Sequence, residues 1–199
     1  MRLIEDTGPV MLSSFHHRFA AAALVAAAAL SPSPAFTQAP SLAPYVPSPT
    51  DVVDRMLAFA KVTASDVVYD LGSGDGRIVI AAAKQYGARG VGVDIDPELV
   101  AQATENAKKA GVDRLVSFKV EDAMTTDVSP ATVVTLYLFT TSNVKLRRML
   151  TSTLKPGARI VSHTFSMGDW APSETMRFQD SNRYWRDLYL WRADGKVRP

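Results

Sequence analysis

The sequence has no cysteine, three histidines and almost no net charge. Without cysteine there is no disulfide, thiolate zinc site, iron–sulfur cluster, cysteine nucleophile or cluster-based radical chemistry. His16, His17 and His163 are too few for a histidine-rich centre, so no metal site is expected. Twenty-two basic against 20 acidic side chains leave a formal charge of +2, which gives no general mandate to bind nucleic acid. What is present is 199 residues, 47% of them apolar, enough for one globular domain with a sizeable core and hardly for two.

The N-terminal end stands apart. Residues 19–30 read FAAAALVAAAAL, a 12-residue apolar run preceded by His16, His17 and Arg18 and followed by small residues and prolines. A standard membrane span needs about 20 apolar residues. A basic start, a short apolar run and a small-residue region instead match a secretory signal peptide or an apolar anchor over 1–39, with Met11 as a candidate initiator. Prolines at 40, 44 and 47 mark 40–47 as a linker, and the domain is expected over 48–199.

Ser48-Pro49-Thr50-Asp51 reads as a helix start, with Ser48 as cap and Pro49 at the first helical position. Strands are then expected at 66–71, 90–94, 115–120, 132–139 and 159–165. They alternate with helices at 78–86, from 97 to about 110, and at 142–154. Such alternation predicts an α/β fold, a doubly wound and mostly parallel Rossmann-like sheet. Residues 174–178 and 188–192 read as a C-terminal hairpin.

Ligands of such sheets bind beyond the carboxyl ends of the strands. After the first strand comes Asp70-Leu71-Gly72-Ser73-Gly74-Asp75-Gly76, whose glycines permit close backbone approach. Asp94 follows the second strand, placed to accept hydrogen bonds from ribose hydroxyls, with Ile95 beside it. Asp122 and Ala123 follow the third, where an adenine edge would lie. The spacing G-x-G-x-G, flanked by Asp70 and Asp75, departs from the dinucleotide fingerprint G-x-G-x-x-G, and two carboxylates would repel a pyrophosphate. They would attract a ligand carrying an ammonium and a sulfonium. The same residues also serve as a simple turn and a helix cap.

Residues 67–77, VVYDLGSGDGR, resemble the first motif of the seven-strand S-adenosylmethionine-dependent methyltransferases. The resemblance implies S-adenosyl-L-methionine as cofactor and S-adenosyl-L-homocysteine as product. It places Asp70, Gly72 and Gly74 at the methionine end, Asp94 at the ribose, and Asp122 and Ala123 at the adenine, with Ser73 and Ile95 also cofactor-binding. Tyr45-Val46-Pro47, the run from Asp70 through IVIAAAK, His163-Thr164-Phe165 and Trp170-Ala171-Pro172 are similar to one subgroup. It comprises the lysine N-methyltransferases of the mitochondrial ATP synthase c-subunit and adenine nucleotide translocase, with their bacterial relatives. Departures are Asp94 and Asp96-Pro97, where mitochondrial members carry a glutamate followed by Asn-Pro, and Leu138-Phe139-Thr140-Thr141 after the fourth strand.

That subgroup implies methylation of protein lysine by in-line displacement. A monomer or weak oligomer without nucleic-acid partner is expected. A small metabolite or lipid acceptor, or a non-catalytic binding module, are the alternatives. Tyr137 and His163 are the candidate catalytic residues, each with a structural alternative: core packing for Tyr137, a satisfied buried histidine for His163. Tyr45, Phe139 and Trp170 are candidate substrate-rim residues, Trp170 alternatively a lid over the core. The N-terminal segment implies membrane association or export, with the catalytic domain facing the cytoplasm, where the cofactor is made. Residues 40–140 carry net −4 and 141–199 net +6, which fits either a surface for an acidic partner or lipid, or a solvated face.

Overall fold

The strands of this chain are apolar on both sides, and the fold buries both. In the computed structural model, which describes residues 42–199, β1 (Val67–Leu71), β2 (Arg89–Asp94), β3 (Val116–Val120), β4 (Val133–Leu136) and β5 (Arg159–His163) pair in parallel. Successive residues alternate faces. Val68, Val133 and Val161 enter one apolar layer with Leu188 and Leu190, while Tyr69, Val134, Leu136 and Ile160 enter the other with Trp191. Helices α1 (Thr50–Phe59), α2 (Arg77–Tyr86) and α3 (Pro97–Lys109) contribute to the first layer, and α4 (Thr140–Thr153) covers the second. The expectations for residues 1–39 lie outside the described residues.

The C-terminal strands β6 (Glu174–Gln179) and β7 (Trp185–Arg192) form the expected hairpin, but β7 inserts between β5 and β6. The order is β3-β2-β1-β4-β5-β7-β6, with β7 antiparallel to β5. The order in which strands are added switches from one side of β1 to the other between β3 and β4, and a cleft opens there, at the carboxyl ends of β1 and β4.

Several boundaries differ from the sequence reading. The fourth strand stops at Leu136, where its pairing with Leu71 of β1 and Ser162 of β5 ends, rather than at Phe139. Tyr137 and Leu138 therefore climb into the cleft, and α4 begins two residues earlier than expected. The fifth strand ends at His163, where Thr164 turns the chain with φ 68°. Ser48 does not cap α1; Pro49 occupies the cap position and the Ser48 hydroxyl is used elsewhere. Asp96 and Pro97 start α3 as expected, Asp96 accepting from Glu98 N–H at 2.8 Å. The segment read as a linker is laid on the domain from Leu42 onward, where Ser142 Oγ donates to the Leu42 carbonyl at 2.6 Å.

Candidate active site

The cleft is built from four loops and one strap. Its floor is the turn after β1. Gly72, Gly74 and Gly76 have φ of 83°, 52° and 80°, a region that side chains resist. Gly72 and Ser73 donate their N–H groups to the Val93 carbonyl at 2.8 and 2.9 Å, and Gly74 N–H donates to Asp94 Oδ2 at 2.8 Å. The other Asp94 oxygen accepts from Asp96 N–H at 3.0 Å. Asp94 thus fixes the glycine turn, and because each of its oxygens can accept a further hydrogen bond, the residue still offers acceptors to the cleft that it lines. Asp122 does the same after β3: Oδ1 accepts from Met124 N–H at 2.8 Å, and the residue lines the cleft with Ala123 and Ile95.

Asp70 is 2% exposed and accepts from Thr135 Oγ1 at 2.7 Å. Burial raises its pKa to about 7; the Thr135 hydrogen bond opposes the shift, and the negative charges of Asp94 and Asp75 add to it. Asp75 behaves differently. Burial works to raise its pKa, but Arg77 prevails and holds it below the usual carboxylate range, through hydrogen bonds at 2.9 and 2.6 Å. The expectation that Asp70 and Asp75 both present charge to the ligand is therefore corrected: Asp75 is neutralised by Arg77, and burial leaves Asp70 partly protonated near pH 7.

The strap, residues 42–48, forms the roof. The Tyr45 ring lies against Gly74, so that a Cβ there would stand 2.5 Å from Tyr45 Cε2. The Tyr45 hydroxyl joins the Asp75–Arg77 pair. Arg77 also donates to the Ser48 carbonyl at 2.7 Å, and Ser48 Oγ shares a 3.1 Å hydrogen bond with His163 Nδ1. Sequence reasoning assigned Tyr45 to the substrate rim and missed Ser48 and Arg77. The only signal was the proline spacing that had marked this segment as a linker.

His163 is fully buried and does not line the cleft. Burial lowers its pKa to about 4, the Arg186 charge adding to the effect and Asp180 opposing it. Its ring stacks on Tyr137 at 4.0 Å, and its Nε2 has no hydrogen-bond partner. It therefore stands behind Tyr137, which does line the cleft. Phe139 is 46% exposed at the start of α4, its ring edge-on to Phe165 at 5.4 Å. Trp170 is not brought to the cleft. It packs on Trp191, carries Arg198 over its ring at 4.5 Å, and accepts from Trp191 Nε1 through its carbonyl, which makes it a lid over the second core layer.

The cleft suits an adenosyl ligand with a cationic tail. Ser73 Oγ is buried in its lining without a partner, glycines leave backbone exposed, and carboxylates stand at the ends of β1, β2 and β3. Among the described residues no cluster could hold a metal ion.

Residues 70–174 match the model of the ANTKMT methyltransferase domain. A protein-lysine N-methyltransferase of Saccharolobus islandicus is 46% identical over 140 residues, 70% of this chain and 87% of the relative. The lysine N-methyltransferase of the ATP synthase c-subunit from Xenopus laevis is 34% identical over 129 residues, 65% of this chain and 56% of that protein. The chain thus spans little more than half of that vertebrate relative. A crystal structure described as an RNA methyltransferase from Salinibacter ruber, in complex with S-adenosyl-L-homocysteine, superposes with a TM-score of 0.72. It is 52% identical, covering 77% of this chain and 97% of that one.

Proposed function

The chain belongs to the ANTKMT methyltransferase domain family, and from that premise we propose that this S-adenosylmethionine-dependent methyltransferase acts on lysine side chains of a protein. The observation that carries the lysine reading is the 46% identity, over 70% of this chain and 87% of the relative, to a protein-lysine N-methyltransferase.

The bound cofactor supplies an electrophilic methyl group on a sulfonium. Asp70 and the Gly72–Gly74 turn hold its methionine end, Asp94 its ribose hydroxyls, and Asp122 with Ala123 its adenine. The residues of the chain then have two tasks, to aim the acceptor and to help it lose a proton. Tyr137, with Phe139 and Phe165 beside it, walls the approach with aromatic surface. Such a wall attracts an ammonium, and by stripping water from it lowers its pKa toward the neutral, nucleophilic amine. His163 holds the Tyr137 ring from behind and stays neutral at physiological pH, a positioning residue rather than a proton carrier.

The test is transfer of label from methyl-labelled S-adenosylmethionine into a lysate. Label that resists ribonuclease, falls to protease and yields methyl-lysine on hydrolysis is the expected result. Ribonuclease-sensitive label would overturn it in favour of an RNA acceptor, the reading that the description of the Salinibacter relative favours. Label confined to small molecules would overturn it in favour of a metabolite or lipid. The apolar run at 19–30 is assigned to membrane attachment, with the catalytic domain on the cytoplasmic side where the cofactor is made.

A further inference from the structure

Eight large apolar side chains are left exposed among the described residues, and they are not scattered. Five of them, Tyr45, Val46, Phe139, Tyr184 and Trp185, stand on one stretch of the sheet edge that carries the cleft. The topology puts them there. Because β7 runs antiparallel to β5, its first residue, Trp185, lies beyond the carboxyl end of β5, where His163 pairs with Leu188. The hairpin tip adjoins the strap: Ser181 N–H donates to Asp51 Oδ2 at 2.5 Å, at the start of the helix that the strap leads into. Phe139 continues the surface through its contact with Phe165, just past β5.

The tip is built in an unusual way. Tyr184 and Trp185 are 65% and 62% exposed, and each carries a guanidinium near its ring, Arg186 at 5.7 Å and Arg177 at 5.7 Å. Both cations are already matched, Arg186 by Asp180 at 2.8 Å and Arg177 by Asp187 at 3.3 Å. Arg183 beside them forms no ion pair among the described residues, but a nucleic-acid surface needs several cations free to displace counterions, and the tip offers one. Aromatic rings with guanidiniums at their margins suit instead the headgroup layer of a bilayer, apolar on one side and wet on the other. The strap also continues at Leu42, after only eleven residues, into the apolar run of the sequence at 19–30, so the chain leaves the domain on this edge.

We propose that the β6–β7 tip and the strap form a docking surface for a phospholipid bilayer, with Trp185 and Tyr184 seated in the headgroup layer and the cleft mouth turned toward the membrane. The proposal is independent of which acceptor is methylated. Among the described residues no helix is long and apolar enough to cross a membrane.

Trp185 reports on it directly, because Trp191 is buried and Trp170 lies under Arg198. The full chain is mixed with vesicles of phosphatidylcholine and phosphatidylglycerol whose acyl chains are brominated near the headgroup, and tryptophan emission is followed. Wild type is expected to be quenched and blue-shifted, and Trp185→Phe to lose most of the quenching while retaining its melting temperature and cofactor affinity. Attachment through the apolar N-terminal run alone gives a different pattern: the protein pellets with vesicles, but quenching is absent or equal in the two proteins. That result overturns the proposal. So does a Trp185 shift on adding RNA or an acceptor protein that vesicles fail to produce.

Discussion

Two buried titratable residues pull the stability of the protein in opposite directions with pH. Asp70 has a folded pKa of about 7 against roughly 3.9 when unfolded, so the folded state holds a proton that the unfolded state lacks. Its contribution is fully present below pH ~3.9 and is lost as pH rises through 7. His163 has a folded pKa of about 4 against 6.5, so the unfolded state binds a proton that the folded state refuses. Its contribution is present above 6.5 and is lost as pH falls toward 4. Asp70→Asn is therefore expected to raise the melting temperature of the ligand-free protein at pH 8, with the difference from wild type vanishing at pH 4. His163→Phe, which keeps the stack on Tyr137, is expected to flatten the melting profile between pH 6.5 and 4. Calorimetric scans across that range check both. A cationic ligand beside Asp70 also favours its ionised form, so S-adenosylmethionine binding at pH 7 is expected to release a proton. Titrations in phosphate and Tris should then give different apparent enthalpies, and Asp70→Asn should remove the difference.

The strap is the element that closes the cofactor cleft. It is held by the Leu42 carbonyl, the Tyr45 hydroxyl, and the Ser48 carbonyl and hydroxyl, with Arg77 joining it to the glycine turn. Ser48→Ala leaves His163 Nδ1 buried without a partner, and the protein is expected to lose about 1–3 kcal/mol of stability in denaturant titration. Tyr45→Ala uncovers Gly74 and removes the hydroxyl that joins the Asp75–Arg77 pair. Its expected signature is faster cofactor dissociation in stopped-flow displacement, with the melting temperature of the ligand-free protein changed little. Equal dissociation rates would detach the strap from cofactor retention. None of these contacts is visible in the local pattern. Prolines at 40, 44 and 47 look the same in a free linker and in an extended segment pinned by its carbonyls.

At the scale of the molecule, folding leaves the C-terminal stretch positively charged. Residues 141–199 carry net +6, a figure that already counts the acids paired with Arg147, Arg177, Arg186, Arg192 and Arg198. Only Arg159 reaches an acid outside the stretch, Asp66. Lys145, Arg148, Lys155, Arg183 and Lys196 form no ion pair among the described residues, so this stretch keeps its excess of positive charge. The N-terminal proposal belongs to this scale too. Membrane fractionation followed by protease treatment of intact spheroplasts is expected to leave the catalytic domain protected; digestion would place it on the outer side.

The sequence by itself determined the strand and helix alternation, the glycine turn, and the acidic residue after each of the first three strands. Those signals are local: a strand is apolar in runs, a turn needs glycine, and a ligand site in such a sheet lies at known offsets from strand ends. Tertiary structure alone decided the rest. The insertion of β7 beside β5 brings an aromatic tip to the cleft edge, the early end of β4 lifts Tyr137 into the cleft, and a 115-residue separation is closed between Ser48 and His163. It also decided that Asp75 is ion-paired and Asp70 is not, because charge and burial depend on which side chains meet in space, and spacing along the chain does not record that.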